Sequence, residues 1–187
     1  MSCSLIDRAG TAWAVVSLFL VCASSSASGS EGDYIRLVAA LDEPEFYCLD
    51  ITGWGVQLKL DDPLQTHTCK TRNADDQMFR FADGRIEVTE FDRCLEVAGS
   101  GHAVLKGSAV IARPCTDSPP QQVTLGGNGR IQIGESSLCL GAGEDSAEAF
   151  GPSHMWRTLS AVECDSTNNE FITWQIGLVD ELEGEKK

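Results

Sequence analysis

The chain has 187 residues, a length that suits one domain with short flanking segments, and its 42% apolar content is enough to fill a core. A formal net charge of −14 argues against partners that demand a basic surface, nucleic acid and anionic lipid above all.

The first element is a run of apolar residues from Ala12 to Ala23, preceded by a lone Arg8 beside Asp7 and followed by small residues through Ser30. The run is shorter than the ~20 residues that span a bilayer. It predicts a secretory signal over residues 1–28, cleaved near residues 24 to 29, with an uncleaved anchor as the competing interpretation. No later stretch is apolar enough to cross a membrane, so the mature chain is expected to be extracellular and membrane-free.

Cysteine usage agrees with an oxidising compartment. Cys3 and Cys22 fall in the leader, which leaves Cys48, Cys69, Cys94, Cys115, Cys139 and Cys164. The dipeptide Cys-Leu occurs at Cys48, Cys94 and Cys139, in steps of 46 and 45 residues, and a second cysteine follows each after 21, 21 and 25 residues. The pairing that respects this repeat is Cys48–Cys69, Cys94–Cys115 and Cys139–Cys164. Each bond closes a loop worth about 3 kcal/mol in the chain-entropy account. Metal ligation is the other use of paired cysteines, but no CxxC spacing occurs, and His67, His102 and His154 sit in different units. No metal or other cofactor is expected.

Further features recur in phase with the cysteines. Gln77–Phe81, Gln121–Leu125 and Ile172–Ile176 alternate apolar and polar residues, the period of a half-buried strand. Phe79, Val123 and Trp174, with Phe81, Leu125 and Ile176, are expected to share one core. Asp83-Gly84 and Asn128-Gly129 are hairpin signals, since both pairs tolerate positive φ. No useful amphipathic helical stretch lies between residues 34 and 178. Each unit reads as about four short strands. In the first, one strand ends near Ala40, one runs through Cys48, one precedes Cys69 and one runs through Phe79. Three units give about 12 strands. Such units cannot bury their apolar faces alone and do so around a shared axis. The expected fold is therefore all-β, a β-trefoil over residues 34–178, with residues 179–187 a charged tail.

Cys-Leu-Asp, a second cysteine about 20 residues on and then Gln-x-aromatic resemble the ricin B-type (R-type) lectin family, over roughly Tyr34 to Ile176. The Gln-x-Trp motif departs from that pattern, with Phe79 and Val123 at the aromatic position and Ile172 in place of the third glutamine. The resemblance implies a sugar pocket within a unit. A carboxylate after Cys-Leu accepts from sugar hydroxyls, an aromatic two residues before the second cysteine stacks on the pyranose, a polar residue completes the polar contacts, and the glutamine that follows it braces them. These roles fit a ligand with many hydroxyls and one C–H face.

Carried onto this sequence, unit one offers Asp50, His67, Asp76 and Gln77, with Trp54 as a possible stacking residue from a nearby loop. Unit two offers a weaker set, Glu96, Arg113 and Gln121, with Pro120 where a polar residue belongs. Unit three has Gly141, Val162 and Phe171 at the corresponding positions and is expected to be inactive. No Gly-x-Ser-x-Gly or other nucleophile arrangement points to an enzyme, and Asp61-Asp62 and Asp75-Asp76 read as turn residues. The resulting expectation is a secreted glycan-binding protein with one working site in unit one. The alternative is a trefoil interaction module, such as an inhibitor or a protein-binding partner, which fold alone does not separate from a lectin.

Overall fold

The computed structural model describes residues 32–100, 103–151 and 153–177. The expected leader, His102 and the charged tail lie outside them. Among the described residues fourteen strands form: β1 (Tyr34–Leu37), β2 (Tyr47–Asp50), β3 (Gln65–Thr68), β4 (Phe79–Ala82), β5 (Arg85–Val88), β6 (Arg93–Val97), β7 (Gly99–Ser100), β8 (Ala103–Val104), β9 (Val110–Pro114), β10 (Val123–Leu125), β11 (Ile131–Ile133), β12 (Leu138–Glu148), β13 (Met155–Glu163) and β14 (Trp174–Gly177). The only helical segments among the described residues are four short 3₁₀ turns, and none is long and apolar enough to cross a membrane.

The three disulfides join Cys48 to Cys69, Cys94 to Cys115 and Cys139 to Cys164. Each ties the two arms of one hairpin: β2 to the end of β3, β6 to the end of β9, and β12 to the end of β13. The hairpins meet in rotation. Leu64 donates to the Val110 carbonyl at 2.8 Å, Ala161 donates to the Ser108 carbonyl at 2.9 Å, and β13 pairs with β3. Strand β1 pairs with β14, so the last unit closes on the first. This is the threefold closure of a β-trefoil.

The core takes apolar side chains from all three units, among them Leu49, Phe79, Leu95, Ile131, Leu140 and Trp174. Each fully buried large side chain contributes about 1.5–3 kcal/mol. Phe79, Val123 and Trp174 are buried as the alternation predicts, and Phe81 and Ile176 pack against the core. Leu125 does not. It is 38% exposed, because β10 is a three-residue strand at the edge of the large sheet.

Asp83 (φ 50°) and Gly84 (φ 72°) both adopt positive φ, the two-residue turn whose twist matches its flanking strands. The second hairpin forms differently. Gly129 has φ 78°, but the turn is wider: Gly126 N–H reaches the Arg130 carbonyl and Asn128 Oδ1 accepts from Arg130 N–H. Gln77 and Gln121 also lie off the strands expected to contain them. They end 3₁₀ turns, Asp75–Gln77 and Pro119–Gln121, and a third such turn, Asn169–Phe171, stands just before Ile172.

Candidate functional site

Those 3₁₀ turns matter because they aim the glutamine back at the Cys-Leu strand. Gln77 Nε2 donates to Asp50 Oδ2 at 2.9 Å and to the Thr68 carbonyl at 3.1 Å, while its Oε1 accepts from Lys70 N–H at 2.8 Å. Unit two repeats all three contacts: Gln121 Nε2 to Glu96 Oε2 at 2.8 Å and to the Pro114 carbonyl at 3.0 Å, with Thr116 N–H donating to Gln121 Oε1 at 2.7 Å. Both glutamines are fully buried. An unpaired amide at such a depth is costly, so this geometry is structural in both units.

In unit one Asp50, on β2, has no exposed surface. Its Oδ1 accepts from Gln65 Nε2 at 2.8 Å, and its Oδ2 accepts from Gln77 and from Lys70 Nζ at 3.1 Å. Lys70 also donates to Asp76 Oδ2, so one ammonium bridges two buried carboxylates. Asp76 Oδ1 is buried with no hydrogen-bond partner. Burial raises the Asp50 carboxyl above its ordinary value against the pull of Lys70, and raises Asp76 with help from the Asp50 charge. Burial works against the Lys70 charge, but Asp50 and Asp76 outweigh it and hold its pKa up. Tyr34 donates to the Lys70 carbonyl, and burial followed by the charges of Asp76 and Asp75 pushes its phenol up to about 12.

A cleft of about 790 Å³ opens over this cluster. Asp50, Gln65, His67, Lys70 and Trp54 line it from unit one. Trp54 is 66% exposed, beside a 3₁₀ turn at Gly55–Gln57. It is a lip of the cleft and not a core anchor. His67 is nearly buried. Strand β13 lies beside β3 with Trp156 opposite His67, and the His67 and His154 rings meet edge to face at 5.4 Å. The expectation that the histidines stay apart is thus corrected, because pairing between units one and three joins them. Burial lowers the His67 pKa, with Lys70 and His154 adding to the effect. No group of three or more potential metal ligands occurs among the described residues.

The other units lack this arrangement. In unit two Glu96 is braced, but Arg113 turns to Asp61, which it meets at 3.2 Å together with Arg93 at 3.1 Å, and Pro120 is buried. In unit three a Cβ on Gly141 would stand 2.4 Å from Val162 Cγ2 and 3.2 Å from Ile172 Cγ2. Apolar side chains fill the space that a carboxylate would need. Trp174 Nε1 satisfies the Leu140 carbonyl at 2.9 Å instead.

Sequence reasoning missed Lys70, Gln65 and the third unit's contribution to the cleft. Glu148, Phe150, His154 and Trp156 line it from the β12–β13 hairpin. The legible signal was the longer spacing, 25 residues between Cys139 and Cys164 against 21 in the other units.

Three hairpins in rotation, one disulfide in each, and a glutamine-braced carboxylate in two of them define a disulfide-linked β-trefoil. A family model described as the ricin-type beta-trefoil lectin domain matches residues 39–163, and the chain belongs to that family. No curated protein sequence matches it significantly. Among solved structures it is similar to the C-half of an earthworm R-type lectin in complex with GalNAc (16% identity, TM-score 0.56, covering 79% of this chain and 98% of that one). It is also similar to the β-trefoil lectin of the Vibrio vulnificus hemolysin/cytolysin with N-acetyl-D-lactosamine bound (14%, 0.53, 80% and 96%) and to the designed threefold-symmetric protein ThreeFoil (16%, 0.52, 77% and 97%). At these identities the likeness concerns the fold.

Proposed function

We propose that the chain is a secreted carbohydrate-binding protein whose one working site is the unit-one cleft. The observation that carries this reading is the convergence of Asp50, Gln65 and Lys70 at the floor of an open cleft, braced from the buried side by Asp76 and Gln77, with the exposed indole of Trp54 at its lip. Floor and lip supply what a sugar ring asks for, charged hydrogen-bonding groups and an aromatic face. Similarity to proteins solved with GalNAc and with N-acetyl-D-lactosamine supports the ligand class. The reading involves no catalytic step and no basic surface for nucleic acid.

One observation favours the second reading, an interaction module without sugar binding: both oxygens of Asp50 already accept hydrogen bonds within the protein. Asp50 has no exposed surface, so a hydroxyl reaches it only where Lys70 or Gln65 moves aside. A glycan array with wild type and Asp50→Asn separates the two readings. The substitution preserves shape and leaves Lys70 paired with Asp76. A charge-assisted hydrogen bond is worth about 1.5–3 kcal/mol, so the lectin reading expects glycan signals that fall at least tenfold in the variant. A wild-type array with no signal above the variant favours the interaction module.

A further inference from the structure

The third unit's hairpin is longer than its counterparts. Strands β12 and β13 have 11 and nine residues, against four each in β2 and β3 and five each in β6 and β9. After a register shift between Ala142 and Ser146 the arm resumes pairing, Ala147 with Trp156 and Glu148 with Met155, and turns between Ala149 and His154. Its direction is fixed by Arg157. This nearly buried guanidinium donates to Asp42 of unit one and to the Gly143 and Glu144 carbonyls of its own hairpin. Ser146 adds a hydrogen bond of 2.5 Å to Asp42. The arm is therefore tied down beside unit one, and at its tip Phe150 is fully exposed.

An aromatic ring held in water on a fastened arm, lining the same cleft as Trp54, is placed to cover an apolar ligand face. From Trp156 to His154 a strand advances about 7 Å, and the tip lies beyond, so the cleft runs past the reach of one pyranose ring on the Asp50 floor. Its volume of about 790 Å³ is within the range of pockets that enclose ligands larger than a monosaccharide. Its charge also speaks to the ligand. The Lys70 charge is offset by Asp50 and Asp76, and the further charged side chains on the walls are two carboxylates, Glu45 and Glu148, and one cation, Arg72, so no excess of positive charge awaits an anionic sugar.

We infer that the β12–β13 hairpin builds a second subsite, in which Phe150 holds the next residue of a neutral oligosaccharide whose terminal sugar sits over Asp50 and against Trp54. This rests on the carbohydrate reading of the cleft and adds to it a ligand class, uncharged chains of two or more sugars.

The test is an array presenting galactose, N-acetylgalactosamine, glucose and mannose, each as a monosaccharide and as the terminal residue of neutral and sialylated di- and trisaccharides. It is probed with wild type and with Phe150→Ser. Phe150 is exposed, and unchanged thermal unfolding verifies that the variant is folded. The expected result is that wild type binds a neutral oligosaccharide at least tenfold better than its terminal monosaccharide, about 1.4 kcal/mol, and that the variant loses this gain while keeping the monosaccharide signal. Equal wild-type binding of monosaccharide and oligosaccharide overturns the subsite alone, as does a gain that survives in the variant or a preference for the sialylated chains. Silence toward every sugar overturns the carbohydrate reading together with the subsite.

Discussion

Lys70→Met removes the cation shared by Asp50 and Asp76 while keeping most of the side-chain volume. The two carboxyls are 0% and 2% exposed, and the lysine side chain is 16% exposed. Removing one partner of a buried ion pair costs about 3–5 kcal/mol. Proton chemistry sets a ceiling, because the orphaned pair relieves itself once one carboxyl is neutral. From the ordinary value of 3.8, protonation at pH 7 costs about 4 kcal/mol, at 1.36 kcal/mol per unit. Burial and the neighbouring charge already hold Asp76 above that value, which lowers the ceiling. A loss of about 3 kcal/mol is expected, a large share of the 5–15 kcal/mol typical of a domain. It corresponds to a Tm drop of roughly 6–12 °C at this size. The pH dependence identifies the cause. The folded pKa values of Asp50 and Asp76 are raised, so their contribution to stability is fully present below the unfolded carboxylate pKa and is lost as pH rises through the folded values. Without Lys70 those values rise further and the dependence steepens. Thermal unfolding of both proteins at pH 7, 5.5 and 4 should therefore show a gap that is widest at pH 7 and closes toward pH 4. No gap at pH 7, or a gap of the same size at pH 4, refutes the shared-cation account.

Other consequences can be read in the same melts. Gln121→Leu, in a unit that lacks the unit-one arrangement, should still cost about 2 kcal/mol or more, since it strands Glu96, the Pro114 carbonyl and Thr116 N–H; a neutral effect would mean the brace is dispensable without a ligand. Gly141→Asp should fail to restore a third site. Its Cβ meets Val162 and Ile172, so destabilisation of about 1–3 kcal/mol and no new glycan signal are expected, and a stable variant with added binding would contradict the filled pocket. Asp42 is held below the ordinary carboxylate value of 3.8: partial burial opposes this, but hydrogen bonds from Ser146, Arg157 and Tyr47 prevail. A depressed pKa gives stability that is complete above the unfolded value and lost as pH falls below it. Asp42→Asn should therefore lower Tm at pH 7 and flatten its decline below pH 4, and an unchanged acid limb would dismiss the contact as a contributor.

How much of this was legible in the sequence depends on whether a feature lies inside one unit or between two. The disulfides and the three hairpins they tie follow from spacing because each is made within a unit. The pairing of Gln77 with Asp50 and of Gln121 with Glu96 was legible only through the family resemblance, although one unit's turn and strand accomplish it without help. Lys70 also belongs to unit one, but its signal is weak. A lysine after a cysteine reads as surface until the disulfide and the 3₁₀ turn bring Asp50 and Asp76 to the same ammonium. The cleft walls were harder still. His67 and His154 are brought together by the pairing of β3 with β13, a contact set by how units meet around the axis and by no property of either unit's sequence. The same contact turns the longer spacing of the third cysteine pair from an irregularity into a wall. Treating the repeats as three independent sites, each retained or lost by itself, therefore misdescribes the molecule. The unit whose own pocket is filled by Val162 and Ile172 is the one whose hairpin lines the cleft of the first.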